Sequence, residues 1–369
     1  MTNPTALSRL LAALADPATA KDLDQEQWSG LVAGARSANL LGALGERFRG
    51  AALAEGSQAE RHLDGARQLS VRQRRSVLWE AHQLQAALGQ LDVPVVLLKG
   101  AAYVLADLAN AKGRLFGDID ILVPRDALGD VESRLLLHGW ISATASAYDQ
   151  RYYRQWMHEL PPMVHMRRGT VIDVHHTILP LTARNAPDPN QIIARSVPVP
   201  VPGLSALRTP CPEDLVIHSI THLVHEGDLH NGLRDLNDID SLIRAFAGIP
   251  GFWTRLAGFA AGNDLALPVC FGLHLAQRLF GTPVPGSVLA ALSPTKLAMQ
   301  PAPWLESIYL RALPPRYPDG GTDIGWKMAH WVVYVRSHSL RMPWPLLARH
   351  LAVKAWLGWR ASIGQPASP

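Results

Sequence analysis

Cysteine is almost missing from this 369-residue chain, which carries only Cys211 and Cys270. Two thiols are too few for a disulfide framework or a zinc ribbon, and they fit a reducing, cytoplasmic setting. No run of 18 apolar residues occurs, so a membrane-spanning helix is not expected. The apolar stretch near the N-terminus is broken by Arg9 and Asp16 and does not read as a signal peptide. There is no repeat period and no low-complexity tract. Charge is sparse, at 18% of residues against 48% hydrophobic, which excludes a disordered chain and points to a globular core. Acidic residues are wholly absent from Gly325 to Pro369. There Lys327, Arg336, Arg341, Arg349, Lys354 and Arg360 contribute +6 of a net +4, leaving −2 for the rest.

The length allows two or three domains, and the texture divides the chain into three parts. Residues 1–90 read as a helical segment, with apolar residues at three- and four-residue spacing. In its last helix Ser70 stands as a cap and Gly89 lies near the end. Residues 91–208 read as an α/β core. VPVVLLKG is a short, continuously apolar run of the kind found in buried strands. AAYVLADLANA follows as a helix ending near Gly113, then GDIDILVP as a strand. RDALGDVESRLLLHGW is a helix that Asp126 would cap and Gly139 would end. PPMVHMRRGTVIDVHHTI gives a hairpin about Arg168-Gly169, and RSVPVPVPG holds a further short strand. Residues 209–369 return to helix, with Pro212 at a helix start and further helices across 252–281 and 297–313.

Chemistry concentrates in Gly117-Asp118-Ile119-Asp120-Ile121-Leu122-Val123. Residues two apart on a strand share a face, so Asp118 and Asp120 project together while Ile119 and Ile121 enter a core. Adjacent carboxylates repel unless a cation is shared, and hard oxygen ligands suit Mg²⁺ completed by phosphates and water. Asp173, on a strand of the same expected sheet, supplies a third acid that would hold a second metal or take a proton. In the turn Leu98-Lys99-Gly100-Ala101-Ala102, backbone N–H groups at a helix start would cradle phosphates, with Lys99 or Arg114 adding charge. An isolated pair of acids is often only solvated surface. The order of glycine turn, helix, paired-acid strand, hairpin and third acid is far more specific.

These residues resemble the nucleotidyltransferase superfamily that includes DNA polymerase beta and kanamycin nucleotidyltransferase. Within it, the chain is similar to a bacterial family of uncharacterised nucleotidyltransferases. The resemblance rests on Leu98-Lys99-Gly100, on Arg114 before Gly117-Asp118-Ile119-Asp120-Ile121-Leu122-Val123, and on Asp173-Val174-His175. It continues through Glu213-Asp214-Leu215, His222 and Leu233-Arg234 to Asp238-Ile239, covering roughly residues 75–245. It implies an α+β fold: a mixed nucleotidyltransferase-type sheet flanked by N- and C-terminal helical segments. It also implies transfer of a nucleoside monophosphate from an NTP such as ATP to a hydroxyl of a small molecule, sugar or peptide, releasing pyrophosphate. Mg²⁺, or Mn²⁺ in its place, would sit on Asp118, Asp120 and Asp173, the catalytic acids. Lys99, Gly100, Ala101, Arg114, Gly117 and His175 would contact the nucleotide. One departure stands out: where the superfamily usually follows its glycine with a phosphate-holding serine, this chain has Ala101.

His175 shares a face with Asp173 and would orient it or contact phosphate, whereas His176 points the other way. His218, His222 and His225 share one helix face, so a metal phosphohydrolase centred on His222 is a further reading. A second is a catalytically inactive nucleotidyltransferase-fold binding module, which Ala101 favours. His222, Arg234 and Asp238 are candidates for the acceptor side; otherwise Arg234 and Asp238, four apart, form an ordinary helical ion pair. The tail from residue 325 holds five of eleven tryptophans beside its unopposed cations. It reads as a helix packed on the body or as a peripheral contact with an anionic membrane surface. The chain as a whole has no strong nucleic-acid signature.

Overall fold

The structure, a computed structural model, describes residues 6–51, 57–144, 146–293, 303–314 and 323–349, with residues 353 and 356. Four helices come first: α1 (Ala6–Ala15), α2 (Gln25–Ser37), α3 (Leu41–Arg47) and α4 (Gln58–Leu88). Asp24 starts α2 with a reciprocal cap, accepting from the Gln27 N–H at 2.8 Å while the Gln27 side chain accepts from the Asp24 N–H at 3.1 Å. Leu10, Leu14, Leu31, Leu40 and Leu44 form a small core of their own with Leu63 of α4.

Helix α4 begins twelve residues before the expected cap. Ser57 caps it, accepting from the Glu60 N–H, and Ser70 lies buried in mid-helix with its hydroxyl donating to the Arg67 carbonyl. Apolar residues are thin over 58–69, so periodicity misses these turns, although Glu, Arg, Ala, Gln and Leu all favour helix.

The middle of the chain alternates: β1 (Val95–Leu97), α5 (Lys99–Leu105), β2 (Asp118–Leu122), α6 (Leu128–Leu137), β3 (Trp140–Ser142), α7 (Ala147–Trp156), β4 (Met163–His165), β5 (Val171–His175), α8 (Pro189–Arg195), β6 (Val197–Pro198) and β7 (Leu207–Thr209). The strands form one mixed sheet in the order β3-β4-β5-β2-β1-β7-β6. β1 pairs antiparallel with β2 and parallel with β7, β2 pairs parallel with β5, and β4–β5 is the expected hairpin. Val95, Val96 and Leu97 are fully buried, as the unbroken apolar run requires. They share a core with Val77, Ala81, Leu84 and Leu88 of α4 and with the helices that follow. This is the expected α+β architecture.

Three local expectations change. The helix after β1 stops at Leu105 rather than near Gly113, because the chain turns at Asp107, whose φ is +50°, into a 3-10 turn at Ala109–Ala111. Asp126 does not cap α6; it sits inside a 3-10 turn, Arg125–Ala127, that precedes the helix. Trp140, expected near a helix end, opens strand β3 instead, after Gly139 in the left-handed region.

Helices α9 (Pro212–His225), α10 (Gly232–Phe246), α11 (Phe252–Gly262), α12 (Ala266–Phe280), α13 (Gly286–Leu292), α14 (Pro303–Ala312) and α15 (Ile324–Arg341) follow, and residues 344–349 are helical again. Part of the helix expected at 297–313 lies outside the described residues, as do Lys354 and Arg360 of the basic tail. Two of the tail's cations turn inward. Arg336 donates to the Val224 carbonyl at 3.0 Å, and Arg341 lies 3.6 Å from Glu226. Ile324, Met328 and Trp331 of α15 are exposed. No helix among the described residues is long and apolar enough to cross a membrane.

Candidate active site

Strand β2 presents its two acids as the two-residue period requires. Asp118 is exposed at the strand start, Asp120 is buried on the same face, and Ile119 and Ile121 fill the core behind them. The parallel pairing with β5 sets Asp120 directly beside Asp173. Side chains opposite one another on neighbouring strands share a face, so register alone gathers the three carboxylates. Their oxygens lie within 4.8 Å of one another.

Two nitrogen donors stand beneath this group. Lys99 Nζ is 2.8 Å from Asp120 Oδ1, and His175 Nε2 is 3.0 Å from the same oxygen. A carboxylate only accepts, so Nε2 carries the proton. Burial works against charge on Asp120, but Lys99 and His175 outweigh it and hold its carboxyl far below the usual range. Lys99 reaches this position from a backbone with φ +45°, an uncommon conformation for a side chain that is not glycine. His175 thus contacts Asp120 rather than Asp173 and is buried beside it.

The other acids are in tension. Partial loss of hydration at the crowded strand start, then Asp120, pushes the Asp118 carboxyl up. Burial, with Glu159 and Asp120, pushes Asp173 up to about 7. One Asp173 oxygen, Oδ1, is buried without any hydrogen-bond partner. A divalent cation would relieve both the mutual repulsion and the orphaned oxygen, and three carboxylates are the donor set such an ion prefers. The residues fit a hard metal.

Glu159 belongs to this neighbourhood and escaped the sequence reading. It arrives on irregular chain between α7 and β4, bridged to His175, with its Oε2 3.3 Å from His175 Nδ1. Only the His158-Glu159 dipeptide could have signalled it. His158, Glu159 and His175 also bring ligand atoms within 4.8 Å of one another. The two rings stack with centroids 5.1 Å apart, and His175 already spends Nε2 on Asp120. His175 Nδ1 and His158 Nδ1 are buried without a hydrogen-bond partner, so this second group also has donor atoms that fit a metal.

Other expected residues stand elsewhere. Arg114 is not free for phosphate: its Nε donates to Asp238 at 2.7 Å, with Asp235 at 3.9 Å, and its guanidinium lies against Tyr103 and Phe116. Gly100 is glycine because that strap crosses it; a Cβ there would meet Arg114 at 2.5 Å and Phe116 at 2.6 Å. Ala101 is buried in the core. Gly117 is exposed with open space around it and borders, with Asp118, a cleft between α4 and the β4–β5 hairpin.

Asp238 does not pair with Arg234, which instead binds Asp235 at 2.7 Å. Arg234 and Asp238 line a separate small cavity beside Asn39 and Gly113, away from the three acids. His222 and His218 sit near Lys99, and burial followed by that cation lowers the pKa of both rings, His218 to about 3; His222, a third exposed, also lies 3.7 Å from Glu226. His225 bonds the Thr221 carbonyl. Among the described residues these three histidines form no metal-ready group.

Residues 24–281, well over half of the chain, match the family described as uncharacterised nucleotidyltransferase. No curated protein matches the chain. The chain belongs to this nucleotidyltransferase family.

Proposed function

With that membership as the premise, we propose that the chain transfers a nucleoside monophosphate from an NTP to an acceptor hydroxyl in a reaction that needs Mg²⁺ or Mn²⁺. The observation that carries this reading is the convergence of Asp118, Asp120 and Asp173 within 4.8 Å. These three would hold the metal, which when bound neutralises triphosphate charge and polarises the α-phosphate. In the balanced step the acceptor oxygen forms a bond to the α-phosphorus, the bond to the departing pyrophosphate breaks, and the acceptor proton leaves to a base.

Asp173 is the proposed base, since it is the acid on the β5 side with an uncommitted oxygen. Lys99 and His175 would keep Asp120 ionised and fixed in place. Once a metal shares Asp120, the Lys99 ammonium on the β1 side would be partly released toward the phosphates, beside Gly100 and Ala101. Catalysis of this type comes from positioning and charge stabilisation. Lys99, partly buried and 2.8 Å from Asp120, would do part of the work that a side-chain hydroxyl at Ala101 would do.

Incubation with mixed NTPs, Mg²⁺ and a metabolite extract, read by mass spectrometry, tests the reading. A mass gain of one NMP on an acceptor is expected, and Asp118→Asn and Asp120→Asn should each lower it by about 10³-fold or more. NTP binding without turnover would support the inactive binding module instead.

A further inference from the structure

The cleft beside Asp118 has a chemistry that the three acids do not explain. It occupies about 700 Å³ between α4 and the β4–β5 hairpin, within the size range of small-molecule sites. Arg72, Arg75, Ser76 and Trp79 fall at i, i+3, i+4 and i+7 on α4, so they share one helix face, and all four are exposed in the cleft wall. Trp79 is 50% exposed.

The opposite wall is already neutral. Arg168 lies 5.1 Å over the Trp79 ring and makes a two-pronged ion pair with the buried Glu80 at 2.8 and 3.0 Å. Glu80 also accepts from the Thr170 hydroxyl at 2.6 Å. Arg72 and Arg75 have no carboxylate partner among the described residues. The cleft therefore offers two uncommitted guanidinium groups and a fixed indole, braced on one side by Arg168, opening at Asp118.

Position in the sheet decides which substrate this suits. β2 lies between β1 and β5. Lys99 follows β1, whereas the cleft is bordered by Gly169 and Thr170, which lead into β5 and Asp173. Of the three acids only Asp118 borders it, with Ile119 of the other strand face in its floor, so the cleft meets the acids at the Asp118 edge, on the β5 side of the sheet.

We propose that this cleft is the acceptor groove and that it takes a phosphate-bearing acceptor. Arg72 and Arg75 hold the phosphate, a ring of the acceptor lies on Trp79, and the reacting hydroxyl meets the metal site at Asp118. Guanidinium groups grip phosphate through paired N–H donors, and an indole face supports sugar or aromatic rings. The assignment to the acceptor, rather than to the NTP, rests on the nucleotidyl-transfer reading above.

Calorimetric titration of the full chain with glucose 6-phosphate, glucose and Mg·ATP tests it. Glucose 6-phosphate should bind about 100-fold more tightly than glucose. Arg72→Glu with Arg75→Glu should erase that preference, a loss of about 100-fold from two charge-assisted contacts, while Mg·ATP affinity stays within twofold. Arg72→Lys with Arg75→Lys should keep most of the preference, and an unchanged melting temperature would show that the charge-reversed chain is folded. If the wild type shows no preference for the phosphorylated sugar, the proposal fails. It fails equally if Mg·ATP weakens in step, which would give the groove to the nucleotide. If phosphate binding depends on the arginines but no NTP is turned over, the groove stands and the transfer reading falls.

Discussion

Replacing Asp173 with Asn should make the metal-free protein more stable while removing its response to metal. The carboxyl is pushed from 3.8 to about 7 by burial and by Glu159 and Asp120. A group whose folded value is raised binds its proton more tightly in the native state. Its contribution is therefore fully favourable below about 4 and is lost as pH rises through 7. Above pH 7 the charged form costs about 4 kcal/mol relative to a neutral isostere, at 1.36 kcal/mol for each factor of ten. For a chain of this length, with an unfolding entropy of about 2.1 cal/mol/K per residue, that corresponds to a gain of about 5 °C in Tm for Asp173→Asn at pH 8 in EDTA. At pH 5 the native Asp173 is already protonated and only the unfolded chain ionises, so the gain shrinks to about 2 °C. Mg²⁺ should reverse the ranking, because a ligand that binds the folded state stabilises it by RT ln(1 + [L]/Kd), and the variant has lost a ligand. Scanning calorimetry at the two pH values, with EDTA or Mg²⁺, reads all four conditions. A variant that is no more stable at pH 8 in EDTA, or that gains as much from Mg²⁺ as the wild type, would refute both the strained-acid picture and the metal assignment.

Two other substitutions probe what holds the site up. Arg114→Met leaves Asp238 buried and uncompensated, and should destabilise by about 3–5 kcal/mol in urea titration while Mg²⁺ still binds to the folded fraction. An equal loss of nucleotide affinity without loss of stability would return Arg114 to the phosphate side. Gly100→Ala places a methyl against Arg114 and Phe116, and should cost about 1–3 kcal/mol. Unchanged stability with weakened Mg·ATP binding would instead mean that the glycine serves nucleotide approach alone.

What could be seen from residues alone follows from the range of each interaction. The strand period fixes Asp118 and Asp120 on one face, and the alternation around Arg168-Gly169 places Asp173 on the second strand of a hairpin, so the three acids emerge from local rules. Their contact needs one further fact, the parallel pairing of β2 with β5, which no local pattern encodes. The same limit explains the errors. Arg114 looks like a phosphate ligand because it stands three residues before Gly117; its partner, Asp238, is 124 residues away, and a helix-spaced Arg234 offered a nearer but wrong mate. Glu159 has neither periodicity nor a motif, since it belongs to irregular chain whose place is set by a single bridge to His175. Gly100 reads as a phosphate contact because backbone freedom and close approach leave the same mark in a sequence. Packing distinguishes them, and it shows the glycine yielding to Arg114 and Phe116. The acids could thus be found from sequence, whereas the residues that set their charge and orientation depend on tertiary contact. That division is what makes Asp173 informative: its position follows from the pattern, but its raised carboxyl depends first on burial and then on Glu159, both set by tertiary contact.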